Sequence, residues 1–238
     1  MGNSNIKQHI DTAQKTGACQ LSKLGLKEFP EDLQKLTKNL RTLDISENKI
    51  HNLPASIGKF SFLKNFNVSN NRLGNLPGEF GSLKKLEACS LENNVIVALP
   101  DSFNNLSNLR NLNLSGNNMA TFPSQLCGMK NLDAVDLSRN KITCLPDIIN
   151  TCQVIELNLN QNQISDLPDA LAECPRLKVL RLEENCLEAA AFTPKIMKES
   201  SIALLAIEGN VFDMKVFNNM EGYEQYMERY TATKKKFN

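Results

Sequence analysis

Apolar residues recur along this chain in a fixed spelling. The segments LRTLDISENKI, LKNFNVSNNRL, LEACSLENNVI, LRNLNLSGNNM, LDAVDLSRNKI, VIELNLNQNQI and LKVLRLEENCL share the pattern L-x-x-L-x-L-x-x-N-x-L, and IALLAIEGNVF is a weaker copy. The polar position common to the copies is held by Asn48, Asn71, Asn94, Asn117, Asn140, Asn162, Asn185 and Asn210, at spacings of 23, 23, 23, 23, 22, 23 and 25 residues. Self-similarity at such a period marks an array of supersecondary units. An earlier segment, CQLSKLGL, carries Leu24 where the asparagine would fall, the departure expected of a terminal capping copy.

Each part of the spelling has a physical job. Alternating apolar positions such as Leu43 and Ile45 predict a short strand with one buried face. The asparagine follows, where the chain turns. Its amide is expected to satisfy backbone groups that the turn would otherwise leave buried and unpaired, at about 1–3 kcal/mol each. Phe-Pro or Leu-Pro then recurs at Pro30, Pro54, Pro77, Pro100, Pro123, Pro146 and Pro168. Proline cannot continue a strand, so it should open a return path, with helical anchors such as Ile57, Phe60 and Leu63. One repeat cannot bury its own leucines, whereas stacked repeats share a continuous core. The expected fold class is therefore an α/β solenoid: a parallel concave sheet, helical or 3-10 returns on the convex side, and a curved horseshoe form.

The ends read differently. Ile6, Ile10 and Ala13 stand at helical spacing before Gly17, which predicts a capping helix within an N-terminal segment, residues 1–17. The repeats should fill residues 18–212, about nine with the degenerate copies. A C-terminal capping helix is expected over 213–230, with Met220, Tyr223, Met227 and Tyr230 on one face, followed by a basic tail at 231–238.

The 27 basic and 26 acidic residues leave a formal charge of +1, which argues against a dedicated polyanion binder. The seven cysteines form no C-x-x-C pair, and the first twenty residues lack the apolar stretch of a secretory signal. No run reaches the roughly 18 apolar residues of a membrane span. These features suggest a reduced, cytoplasmic chain. Cys19, Cys89 and Cys174 fall on core positions and read as small buried hydrophobes. Cys127, Cys144, Cys152 and Cys186 have no clear place, and no base partner marks any of them as a nucleophile. His9 and His51 lie far apart with no ligand at metal spacing, and no phosphate-binding glycine motif occurs. Neither catalysis, nor a metal, nor a cofactor, nor a small-molecule substrate is expected.

With its twenty-three-residue, Leu-Pro-containing unit, the chain resembles the intracellular leucine-rich-repeat class that includes Ras-suppressor-like and Ras-binding scaffold proteins. The resemblance extends over the MGNS start and the YMERYTATKKKF tail, and narrows to small leucine-rich repeat-containing proteins. It implies a protein-binding scaffold inside the cell and a myristoylated Gly2. The sequence Met1-Gly2-Asn3-Ser4-Asn5-Ile6-Lys7 suits that modification apart from Ile6, where Ser or Thr is preferred. One myristoyl chain gives weak, reversible membrane attachment. Lys234, Lys235 and Lys236 could add attraction to acidic lipids, or form a solvated tail.

Recognition is expected on the variable strand residues of the concave face. By register, these outward positions carry six basic and ten acidic side chains, the wrong sign for nucleic acid, and offer no aromatic anchor. Asn67, Glu92, Arg110, Asn113, Asp136, Arg139, Asn158, Arg181 and Glu183 are the candidate contacts for a polar or basic protein partner. The expected function is a non-catalytic adaptor, peripheral at a membrane through its lipid. The alternative is a regulatory subunit of a signalling enzyme such as a phosphatase or small GTPase.

Overall fold

The computed structural model describes residues 3–234. The chain divides into two compact units, Met1–Asn118 and Met119–Asn238.

The first unit opens with helix α1, Asn3–Thr16, which buries Ile10 and Ala13. It stops at Gly17, whose φ of +74° is left-handed and whose N–H donates to Ala13 O at 2.8 Å. Five three-residue strands follow: β1 (Ala18–Gln20), β2 (Thr42–Asp44), β3 (Asn65–Asn67), β4 (Ala88–Ser90) and β5 (Asn111–Asn113). Each pairs in parallel with the next, so Cys19, Leu43, Phe66, Cys89 and Leu112 lie in one buried row. Cysteine thus fills two slots of a leucine row, and burial pushes the Cys19 thiol up to about 11.

The returns are 3-10 turns, Glu31–Leu36, Ala55–Lys59, Gly78–Ser82 and Asp101–Asn105, each preceded by a proline in extended conformation. The proline carbonyl accepts the first return bond, as in Phe80 N–H to Pro77 O at 3.0 Å and Phe103 N–H to Pro100 O at 2.9 Å. Proline's fixed φ suits the position that opens each return, and 3-10 runs stay short because their hydrogen-bond geometry is poorer than that of the α-helix. Phe80 and Phe103 stack with ring centroids 5.8 Å apart. Gly81 permits this spacing, because a Cβ there would lie 2.1 Å from Ser102 O.

The second unit repeats the scheme with β6 (Ala134–Asp136), β7 (Glu156–Asn158), β8 (Val179–Arg181) and β9 (Leu204–Ala206), again parallel in register. Val135, Leu157 and Leu180 form a buried row within this unit. The wider spacing before Asn210 accommodates a true helix, α2 (Pro194–Glu199), with Pro194 in its first turn. Thr193 caps it, its Oγ1 accepting the Ile196 N–H at 3.3 Å.

The C-terminus departs from the single helix expected over 213–230. It forms two helices, α3 (Met214–Asn218) and α4 (Tyr223–Lys234), so the expected tail boundary at 231 falls inside α4. The break is built around Gly222, at φ +91°, where a Cβ would sit 2.7 Å from the Cβ of Met197. Met220 therefore precedes α4 and does not share its face. The buried residue of α4 is Tyr226, which the expected face omitted. Phe192 and Phe217, with centroids 5.2 Å apart, join Phe212 and Tyr226 in an aromatic cluster beneath the cap. Arg229 secures α4, donating from its guanidinium to Met197 O at 2.6 Å and Ile202 O at 3.0 Å. No described helix is long and apolar enough to cross a membrane.

Candidate partner-binding faces

The strand faces are held by the turns that end them, and the asparagines organise those turns. Asn94 is representative. Its Nδ2 donates to Val68 O of the preceding repeat at 3.1 Å and to Leu91 O of its own at 3.0 Å, while Oδ1 accepts the Leu73 N–H at 2.9 Å. Asn48, Asn71 and Asn117 bond alike in the first unit. In the second unit Asn162, Asn185 and Asn210 do the same. Asn140 donates to Leu137 O and accepts the Met119 N–H, each at 3.0 Å. All but Asn210 are buried. A carboxamide suits this place because it supplies two donors and a two-lone-pair acceptor from one planar group.

The residue before each ladder asparagine is left-handed: Glu47, Asn70, Asn93, Gly116, Arg139, Gln161, Glu184 and Gly209 have φ between 51° and 76°. That conformation costs a non-glycine residue about 1–2 kcal/mol, and it turns the side chains at Arg139, Gln161 and Glu184 out into solvent.

Several predicted recognition residues prove to have local partners. On β3, Asn67 Oδ1 accepts from Ser69 N at 3.1 Å and Ser69 Oγ at 2.8 Å. On β5, Asn113 Oδ1 does the same for Ser115, at 2.9 and 2.7 Å. Asp136 caps Ser138 N and Asn158 caps Asn160 N in the second unit, at 2.8 and 3.1 Å. These are Asx turns, and each ends its strand three residues before the left-handed position. Their signal is visible in the recurring spelling [ND]-[LIV]-[SN]. Asn113 also donates to Glu92 Oε2 at 3.4 Å. Arg110 lies exposed just before β5.

The second unit carries a more sharply defined feature. A cleft of about 480 Å³ opens on its strand face, lined by Ser138, Asn158, Asn160, Gln161, Glu183, Glu184, Glu208 and Gly209. Its walls are tied together across repeats. Asn158 Nδ2 donates to Asp136 Oδ2 at 3.1 Å, Asn160 Nδ2 donates to Glu183 Oε2, and the Glu183 N–H donates to Asn160 Oδ1 at 2.9 Å. Gln161 donates to Glu184 Oε2 at 2.9 Å. Among the described residues, three glutamates and no basic side chain line the cleft. Arg181, on β8 beside it, is paired with Glu156. Among the predicted contacts, then, Asn158 and Glu183 come together in the cleft, with Asp136 bonded to its wall. Gln161, absent from the expected set, belongs there, and its place before Asn162 is the signal that would have found it.

Gly2 lies outside the described residues. Among those described, no three His, Cys, Asp or Glu side chains are grouped to hold a metal ion. Cys89 and Cys174 are buried and their thiols pushed up by burial, Cys174 to about 12, whereas Cys144 and Cys186 are exposed.

This architecture is the leucine-rich-repeat solenoid, and the family model described as leucine rich repeat matches residues 38–96 and 90–142. A leucine-rich-repeat protein of Leptospira interrogans aligns with a TM-score of 0.72 and 26% identity over 88% of this chain and 61% of its own. The plant peptide hormone receptor RGFR1, solved in complex with RGF2, aligns at 0.63 and 26% over 77% of this chain and 30% of that one. Internalin C2 of Listeria monocytogenes gives 0.69 over 85% of this chain and 92% of its own; its 21% identity shows the fold alone. The chain thus spans about six-tenths of the Leptospira protein and under a third of the receptor.

Proposed function

We propose that this chain is a non-catalytic protein–protein interaction module whose second unit binds a basic side chain of a partner protein. The acidic, amide-walled cleft carries this reading: carboxylates already held in place by neighbouring repeats suit the donor fork of an arginine or the ammonium of a lysine. Repeat solenoids present such variable strand residues for recognition, and the alignment with a hormone receptor in complex with its ligand supports a protein or peptide partner.

The same reading places the protein in the cytoplasm, tethered reversibly to a membrane by a myristoyl group on Gly2. Its support is the Met1-Gly2-Asn3-Ser4 sequence and the resemblance to small intracellular repeat proteins.

The test is affinity capture from cells with wild type and with the Glu183→Lys/Glu208→Lys variant. At least one partner should be lost from the variant, and its binding to wild type should weaken with salt. If every captured protein bound both forms equally, the cleft would not be the site. The anchor is read by labelling with a myristate analogue: label should disappear in Gly2→Ala, and equal label on both forms excludes it.

A further inference from the structure

In the second unit, three successive returns end on cysteine: Cys127 after Ser124–Leu126, Cys152 after Asp147–Thr151 and Cys174 after Asp169–Glu173. The repeat brings these positions into line, but their sulfurs are not equivalent. Cys174 Sγ faces the carbonyl of Ile149 at 3.3 Å. Cys127 Sγ and Cys152 Sγ stand 3.0 Å apart. The two returns are also joined through the backbone, the Gly128 N–H donating to Thr151 O at 3.2 Å. Cys127 is half-buried, whereas Cys152 is only 1% exposed.

We propose that Cys127 and Cys152 are a dithiol modification site, which a hydroperoxide converts to a disulfide linking two consecutive returns. An S–S bond is about 2.05 Å long, so closure asks the sulfurs to approach by only about 1 Å. The roles follow from access and hydrogen bonding. The hydrogen bond shared by the two thiols holds the Cys127 thiol below its ordinary range, with Thr151 assisting, and the same bond together with burial pushes Cys152 up. Cys127 is therefore the thiolate that meets the oxidant.

The steps balance. Cys127 Sγ attacks one peroxide oxygen, the O–O bond breaks, and hydroxide (or alkoxide) leaves as Cys127 becomes a sulfenic acid. Cys152 Sγ then attacks the sulfenic sulfur; the S–S bond forms, the S–O bond breaks, and the departing hydroxide takes the Cys152 proton as water. Two thiols are oxidised by two electrons and one peroxide is reduced. A cellular thiol reverses the bond by exchange.

The full reduced chain, exposed to hydrogen peroxide, quenched in acid, alkylated and digested, should yield a Cys127–Cys152 linked peptide at least tenfold above any other cysteine pair. In a Cys152→Ser chain, dimedone should instead trap a sulfenic acid on Cys127. The proposal is overturned if wild type retains Cys127 sulfenic acid without the link, if Cys152 pairs with Cys174, or if peroxide modifies only the exposed Cys144 and Cys186. The wild-type linkage decides the matter even where the variant folds poorly.

Discussion

Tyr226 Oη accepts the N–H of Leu205 at 3.1 Å, closing the outer edge of the last strand, β9. The other edge is occupied by β8, so without this bond the Leu205 amide would be left beneath α4 with no acceptor. Tyr226→Phe keeps the ring within the aromatic cluster and removes only the oxygen. It should cost about 1–3 kcal/mol, lowering the urea midpoint and accelerating hydrogen exchange at Leu205. Unchanged exchange there would show that the hydroxyl does not protect the edge.

The ladder asparagines should outweigh the strand-face ones in stability. Asn94→Ala strands carbonyls of two repeats and the Leu73 N–H together, and should cost roughly 3 kcal/mol or more. Asn113→Ala exposes a half-buried Asx turn and should cost about 1 kcal/mol. Chemical denaturation of the two variants side by side measures the difference.

Two glycines of one return make a controlled pair. Gly81→Ala places a Cβ 2.1 Å from Ser102 O and should force the stacked returns apart, at about 1–3 kcal/mol. Gly78→Ala, with nothing within 4 Å and an ordinary φ, should be neutral or stabilise by up to about 1 kcal/mol. Thermal midpoints that shifted equally would contradict the packing argument.

The buried thiols set an alkaline limit. Folding raises the Cys19 thiol from 9.0 to about 11, so above pH 9 the unfolded chain releases a proton that the folded chain keeps. The contribution of Cys19 to stability is full below about 9 and is lost as pH rises from 9 to 11. Cys19→Val should flatten the fall in melting temperature across that window while leaving pH 7 to 8 little changed. A parallel decline in both proteins would assign the alkaline loss to other groups.

The candidate site shows where reading by position stops. Strand register picked out Asn158 and Glu183, because alternation alone decides which side chains leave the sheet. It did not reveal that Asn67, Asn113, Asp136 and Asn158 each also cap a turn, nor that Gln161 joins the cleft wall. The caps join residues two apart within one repeat and were legible in the [ND]-[LIV]-[SN] spelling once read as turns, whereas the place of Gln161 depends on Glu184 of the next repeat, 23 residues on.

What the sequence by itself determined is the repeating part of the molecule: the strands, the proline-led returns and the turn asparagines, each dictated by local periodicity, fixed φ or the donor inventory of one side chain. The tertiary structure alone decided the exceptions. The break at Gly222, the burial of Tyr226 and the contact between Cys127 and Cys152 all arise where one segment meets another far along the chain. Periodicity states which residues face inward, but only packing determines which of them touch.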